Sequence, residues 1–173
     1  RLRFAFPMLH NNYQWWEKEK QVPSSLFWQF DVKDAMEESI SGSRKEKNRR
    51  PTINSYMYGN AVAISRMAKV LGENVLDQTY RQKSAELKKL VHDSLWDAKE
   101  RFFKVLHTNA QLEDAREAFG FIPWYFNLPK DKASFAAQWD ELIDTSGFLA
   151  PWGITTAERR HPGFRTHGSG HGC

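Results

Sequence analysis

Apolar positions recur at three- and four-residue spacing along much of this chain, and that spacing predicts helices. In residues 4–20 the periodic positions are Phe4, Met8, Leu9, Tyr13 and Trp16, followed by the charged run Glu17-Lys18-Glu19-Lys20. The pattern reads as an amphipathic helix running out to solvent. Val22-Pro23-Ser24-Ser25 ends it. The clearest helix begins near Thr52, expected as an N-cap beside Pro51. It continues through Ile53, Tyr56, Met57, Ala61, Ile64, Ala68 and Leu71 until Gly72 closes it. Asn74 is expected to cap a second long helix with Leu76, Tyr80, Leu87, Val91 and Leu95 on its apolar stripe. Two long helices about one glycine-centred turn predict an antiparallel hairpin.

The remaining segments are shorter. Residues 26–30 form an extended apolar run, and residues 31–50 are too polar and too rich in small side chains to be a core element. A loop near 20 residues long inside a domain is more often functional than idle, which makes this the candidate site loop. Phe102 to Leu106 reads as a short strand, residues 112–119 as a short helix, residues 120–126 as an aromatic loop and residues 133–143 as another helix. From Ser146 onward glycine and proline are frequent and periodicity vanishes, so loops are expected. No internal repeat is visible. Successive helices without long strands indicate an all-α assembly of hairpins.

Composition narrows the classes. The 173 residues suffice for one ordinary domain, and 40% apolar with 27% charged residues excludes a disordered chain. No apolar run approaches the roughly 20 residues of a membrane span, and no signal peptide is visible. Beginning at Arg1, the chain is expected to be a processed product or a fragment. The formal charge is +4, with its densest basic patch at residues 44–50. That patch is short, contains Glu46 and interleaves no aromatic ring, so it reads as a solvated loop and no nucleic-acid partner is expected. The single Cys173 permits no disulfide within the chain, and the compartment stays open with a lean to the cytoplasm.

Candidate chemistry concentrates between Phe27 and Gly59, where aromatic rings surround three closely spaced acids, Asp34, Glu37 and Glu38. Rings can stack on a sugar face, and apolar surroundings can raise a carboxyl pKa until the group works as a general acid. Like charges so close also resist simultaneous ionisation. Such a constellation suits glycosidic bond cleavage.

Four blocks then become familiar together. They are Asp34-Ala35-Met36-Glu37-Glu38-Ser39-Ile40-Ser41-Gly42, Arg50-Pro51-Thr52-Ile53-Asn54-Ser55-Tyr56-Met57-Tyr58-Gly59, Pro123-Trp124-Tyr125-Phe126-Asn127-Leu128-Pro129 and Thr155-Thr156-Ala157-Glu158-Arg159-Arg160-His161-Pro162-Gly163-Phe164. In this order they resemble the mannosylglycerate-hydrolase-like glycoside hydrolases of the six-hairpin (α/α) toroid group, which also holds processing α-glucosidase, trehalase and glucoamylase types. The resemblance implies an all-α fold that is part of an (α/α)6 toroid. It also implies inverting hydrolysis of an α-glycosidic bond by two carboxyls about 6.5–9.5 Å apart, with water between them. Laid on the group's Ser-Gly-Met-Asp-Asn-Ser-type motif, the first block puts Glu37 where the general acid stands, with Glu replacing Asp.

The group's catalytic base comes later than Cys173. Six hairpins need about 300 residues or more, so residues 1–173 are expected to supply about half the ring, truncated at the C-terminus and at the N-terminus, and to be inactive alone. Glu38 is the rival acid. Asp34, Asn54 and His161 are expected at sugar hydroxyls, with simple capping the other reading of Asn54. Trp28, Trp124, Tyr125 and Trp152 are expected as subsite walls, and Trp15, Trp96 and Trp139 as packing. His161, His167 and His171 do not make a metal site, because the glycines around them oppose a helix. The expected partner is a saccharide or glycoside substrate, with no cofactor and no membrane, and the oligomeric state is open. The rival functions are a sugar epimerase of the same architecture and a noncatalytic carbohydrate-binding or helical interaction module.

Overall fold

A computed structural model of the chain describes residues 1–30, 39–129 and 133–166. Helix α1 spans Leu2–Lys20, α2 spans Pro51–Leu71 and α3 spans Asn74–Leu95. Pro51 occupies the first turn of α2, where its missing N–H costs nothing and its fixed φ suits the helix. Arg50 stands at the N-cap position in place of the expected Thr52. At the far end Gly72 adopts φ 82°, its N–H reaching the Lys69 carbonyl while the Glu73 N–H reaches that of Ala68. This left-handed C-cap satisfies the last carbonyls and turns the chain back into α3. The predicted hairpin is therefore present, and α2 packs against both α3 and α1.

Ala61, Ile64 and Ala68 of α2 face Tyr80, Leu87, Val91 and Leu95 of α3, and all are buried. The small residues on α2 let the two backbones approach closely. Helix α1 joins through Phe6 and Tyr13, the latter edge-on to Tyr80 and to Phe27. The inward face of α1 is only in part the expected one, since Tyr13 is buried and Trp16 packs partly buried on the core, but Phe4, Met8 and Leu9 lie exposed and Phe6 turns inward.

After α3 a two-residue strand β1 (Trp96–Asp97) pairs antiparallel with β2 (Phe102–Phe103). Residues 112–117 are not the expected helix. They run non-helical, because Leu112 bridges back to Leu106 and Glu117 to the distant Ala157, and these pairings override local helix preference. A 3-10 turn (Ala118–Phe121) leads into α4 (Ile122–Tyr125). Gly120 is required there, since a Cβ would stand 2.4 Å from the Phe103 carbonyl oxygen. The expected helix over 133–143 exists as α5 (Ala133–Ala136), a 3-10 turn (Ala137–Trp139) and α6 (Asp140–Ile143). Among the described residues of the glycine-rich tail, β3 (Leu149–Ala150) pairs with β4 (Gly153–Ile154) as a hairpin. No helix among the described residues is long and apolar enough to cross a membrane.

This topology gives the hairpin two unlike ends. One carries the Gly72 turn. The other gathers the C-termini of α1 and α3, the N-terminus of α2, and the segments 21–30, 39–50 and 96–121. Short bridges stitch these connections into one layer, Gln21 to Phe27, Arg49 to Leu106 and Leu106 to Leu112.

Candidate functional site

The centre of that layer is Glu117. Its side chain is almost fully buried, with Oε1 accepting the backbone N–H of Ile40 at 2.8 Å and Oε2 that of Ser41 at 3.3 Å. One carboxylate thereby grips two successive amides 77 and 76 residues away in sequence. Burial pushes its pKa up, while the nearby Arg50 guanidinium and the two loop amides pull against that. Arg50 is itself buried, with its guanidinium carbon 4.5 Å from the centre of the Phe119 ring.

The neighbouring Arg116 holds the tail in place. Its guanidinium meets Glu158 at 3.2 Å, Glu141 at 2.9 Å and Glu100, and the Arg116 N–H also donates to Glu158. Arg160 adds contacts to Glu141, Glu158 and Asp144. Several carboxylates sharing two guanidinium groups make a network, which stabilises more than isolated surface pairs do. Its result is that residues 157–163 lie against residues 114–118.

His161 and Asp114 meet at the rim. The Gly163 N–H donates to His161 Nδ1 at 2.9 Å, so the proton sits on Nε2, which lies 3.0 Å from Asp114 Oδ1. A hydrogen bond with Glu113, followed by the His161 ring, holds the Asp114 carboxyl down at about 2. Beside this pair opens a polar cleft of about 580 Å³ lined by Glu46, His107, Asn109, Gln111, Glu113 and Asp114 among others. His107 Nε2 lies 3.0 Å from Glu113 Oε2. Carboxylate, amide and imidazole groups around an open cleft suit a ligand rich in hydroxyls. Among the described residues no three His, Cys, Asp or Glu side chains converge as a metal site. His167 and His171 lie outside the described residues.

The expected site residues fall into three groups. Glu37, Glu38 and Asp34 lie outside the described residues. Asn54 is a brace and not a sugar contact. It is fully buried, its Nδ2 donates to the carbonyls of Phe27 and Arg50, and its Oδ1 accepts the Phe27 N–H. Trp28 is likewise buried, with the Lys20 and Lys47 ammonium groups 3.9 and 4.9 Å from its ring centre, so no open face is left for a sugar. Trp124 is half-buried against Trp139, and its Nε1 donates to Gln138. Tyr125 and Trp152 are open to solvent, at 82% and 99% exposure. Tyr125 sits beside the second and third turns of α2, where its neighbour Phe126 contacts Tyr56 and Gly59. Trp152 forms the tip of the β3–β4 hairpin. Of the residues expected as packing, Trp96 is half-buried on β1 and not in a helix, while Trp15 and Trp139 remain partly exposed.

Glu117, Arg116, Arg50 and Asp114 are missing from the sequence expectations. The available signal is the pair Arg116-Glu117 directly before the apolar Ala118-Phe119, which on a wet helix face would be ordinary but in extended backbone is buried.

The family model for the mannosylglycerate hydrolase MGH1-like glycoside hydrolase domain matches residues 1–172. A sialidase structure resembles the chain at 45% identity and TM-score 0.92, covering 99% of this chain and 16% of that one. The GH63 mannosylglycerate hydrolase of Thermus thermophilus, solved in complex with glucose, aligns over 72% of this chain and 31% of its own at 16% identity and TM-score 0.57. An uncharacterized protein of Borreliella burgdorferi is 24% identical over 171 residues, and the chain spans 35% of that relative's length. These likenesses bear out the all-α class and the (α/α)6 toroid, of which the chain forms part.

Proposed function

The chain belongs to the mannosylglycerate hydrolase MGH1-like glycoside hydrolase domain family, and from that membership we propose that it is the acid-bearing part of an inverting α-glycosidase. The observation that carries the reading is the family match over residues 1–172. It is supported by the gathering of the 39–50, 106–121 and 155–164 connections at one end of the helical hairpin. In this reading Glu37 donates a proton to the glycosidic oxygen as the anomeric carbon–oxygen bond breaks. A base in later sequence takes a proton from water, and that water's oxygen bonds to the opposite face of the anomeric carbon. The products are a sugar of inverted configuration and a free alcohol.

The hydroxyl-rich ligand would meet Asp34, the His161–Asp114 pair and the polar cleft beside it. Tyr125 and Trp152 offer rings for outlying sugar units. Trp124 would stiffen this aromatic side through its contacts to Trp139 and Gln138. The chain forms one portion of the catalytic domain, with ring closure and the base supplied by the rest of the polypeptide.

The test uses the complete polypeptide and a panel of methyl α-D-glucoside, methyl α-D-mannoside and the two matching glycosyl fluorides. Loss of a general acid costs about 10²- to 10⁴-fold on substrates whose leaving group needs a proton. Fluoride departs as an anion and needs none. Glu37→Gln is therefore expected to lower kcat/KM far more on the methyl glycoside than on the fluoride. An equal fall on both, or no fall, sinks the assignment of Glu37.

A further inference from the structure

Two cavities adjoin on the flank of the α2–α3 hairpin. One, of about 300 Å³, is lined by Tyr58, Gly59, Val62, Arg66, Phe126 and Asn127 among others. The second, of about 330 Å³, is lined by Val62, Ser65, Arg66, Lys69, Asp77 and Arg81 among others. Val62 and Arg66 belong to both, so the two form one groove along α2. From Gly59 to Lys69 it follows about 15 Å of helix, and Arg66 lies about 24 Å along the axis from Arg50. The groove opens where α4 stops. Phe126 caps that short helix and packs on Gly59, where a Cβ would stand 2.4 Å from its ring. Asn127 follows at φ 53°, its carbonyl accepting the Lys88 ammonium at 3.1 Å. Further along α2, Ala63, Arg66 and Lys69 are exposed.

The charge in this groove is unbalanced. Both carboxylate oxygens of Asp77 are occupied, by Arg81 at 2.8 and 2.7 Å and by the Ser65 hydroxyl at 2.7 Å. Among the described residues the side chains of Arg66 and Lys69 make no hydrogen bond or ion pair, and Asp77 acts on Lys69 only as a more distant charge. Three residues apart on one helix, the two cations are surface neighbours. A guanidinium is a planar fork that matches a carboxylate with two parallel hydrogen bonds, and an ammonium beside it favours a second anionic group. On the other side of Arg66 stand the Asn127 amide and the rings of Tyr58 and Phe126. Amides pair with hydroxyls, and rings cover the apolar faces of sugars. The floor of Gly59, Val62, Ala63 and Ser65 is built of small residues, a poor seat for the large apolar anchors of an amphipathic helix.

We propose that this groove is a second saccharide site, distinct from the polar cleft, which takes an acidic oligosaccharide. One sugar unit lies among Tyr58, Phe126 and Asn127, and carboxylates of the chain meet Arg66 and Lys69. None of these residues has a part in the hydrolytic reading, so the site stands or falls without it.

The experiment titrates the complete polypeptide calorimetrically with tetragalacturonate, with the neutral maltotetraose and with poly-L-glutamate, for wild type, Arg66→Gln, Lys69→Gln and the cleft variant Asp114→Asn. The expected result is that wild type binds tetragalacturonate at least tenfold more tightly than either other probe. Losing one charge-assisted contact should weaken that binding roughly tenfold or more in Arg66→Gln and in Lys69→Gln, while Asp114→Asn leaves it unchanged. Thermal midpoints of the two groove variants should match wild type, since both side chains are exposed. Equal binding of poly-L-glutamate would mean that charge alone is read, and equal binding of maltotetraose that the cations are not used. Either outcome overturns the inference, as does the absence of tetragalacturonate binding. A loss in Asp114→Asn without one in the groove variants would move the binding to the cleft and overturn it too. Should one groove variant fail to fold, the other is read alone.

Discussion

Asn54 spends its whole amide on backbone, tying the extended run at Phe27 to the first turn of α2. Removing that amide would strand the N–H and carbonyl of Phe27 in a buried place. Each such unmade bond costs about 1–3 kcal/mol, so Asn54→Ala is expected to lose about 3 kcal/mol in chemical denaturation. A loss below about 0.5 kcal/mol would mean that water reaches Phe27 and that the brace is not needed. The same residue shows the limit of sequence reading at this scale. An Asn at a helix start next to site residues is equally suited to cap, to bind or to brace. Only its three partners, two of them on a residue 27 positions away, decide between these. Trp28 is a similar case, because the lysines that cover it come from positions 20 and 47 and no local pattern announces them.

The elements differ in how openly they declare themselves. Helix α2 was legible to its last residue, since strict periodicity, an early proline and a closing glycine all agree. Helix α1 was legible as a helix but only in part in its orientation, since the expected stripe mixed the inward Tyr13 with the exposed Phe4 and Met8. At about 100° per residue, Phe4, Met8 and Trp15 fall within about 40° of one another, and Phe6 and Tyr13 fall nearly opposite. Both stripes are apolar, so the chain alone does not say which one turns inward, and it is Phe6 and Tyr13 that do. A helix apolar on two faces is generally covered on both, and here the Phe4 stripe is open. Residues 1–173 expressed alone are therefore expected to self-associate, and Phe4→Glu with Met8→Lys to reduce that association, as read by sedimentation velocity. Unchanged sedimentation in the double variant would point to another surface.

At the scale of the whole molecule, the fold class and toroid group were legible, because helical periodicity and four ordered blocks carry them. Of the candidate site, His161 was expected from the resemblance and the three acids lie outside the described residues, whereas the buried layer of Glu117 with Arg116 and Arg50 depends on pairings between segments 40 to 77 residues apart. Charged residues in those segments look like ordinary surface until the non-helical backbone of 112–117 carries them inside.

The unlike ends of the α2–α3 hairpin carry a consequence for tolerance to change. Helix α2 has 21 residues, which places the Gly72 turn about 30 Å along the axis from Arg50. A Cβ at Gly72 would meet nothing within 4 Å, and Glu73 and Asn74 are exposed. Loop lengthening at such a place costs little entropy, since each doubling adds only about 0.6 kcal/mol. On the proposed hydrolytic reading, a small folded domain spliced between Gly72 and Glu73 through flexible Gly-Ser arms should leave kcat of the complete polypeptide within about twofold. The same cargo placed between Thr108 and Asn109 should abolish it. The chain thus separates a face that evolution or an engineer can decorate freely from one where every insertion is read by the chemistry.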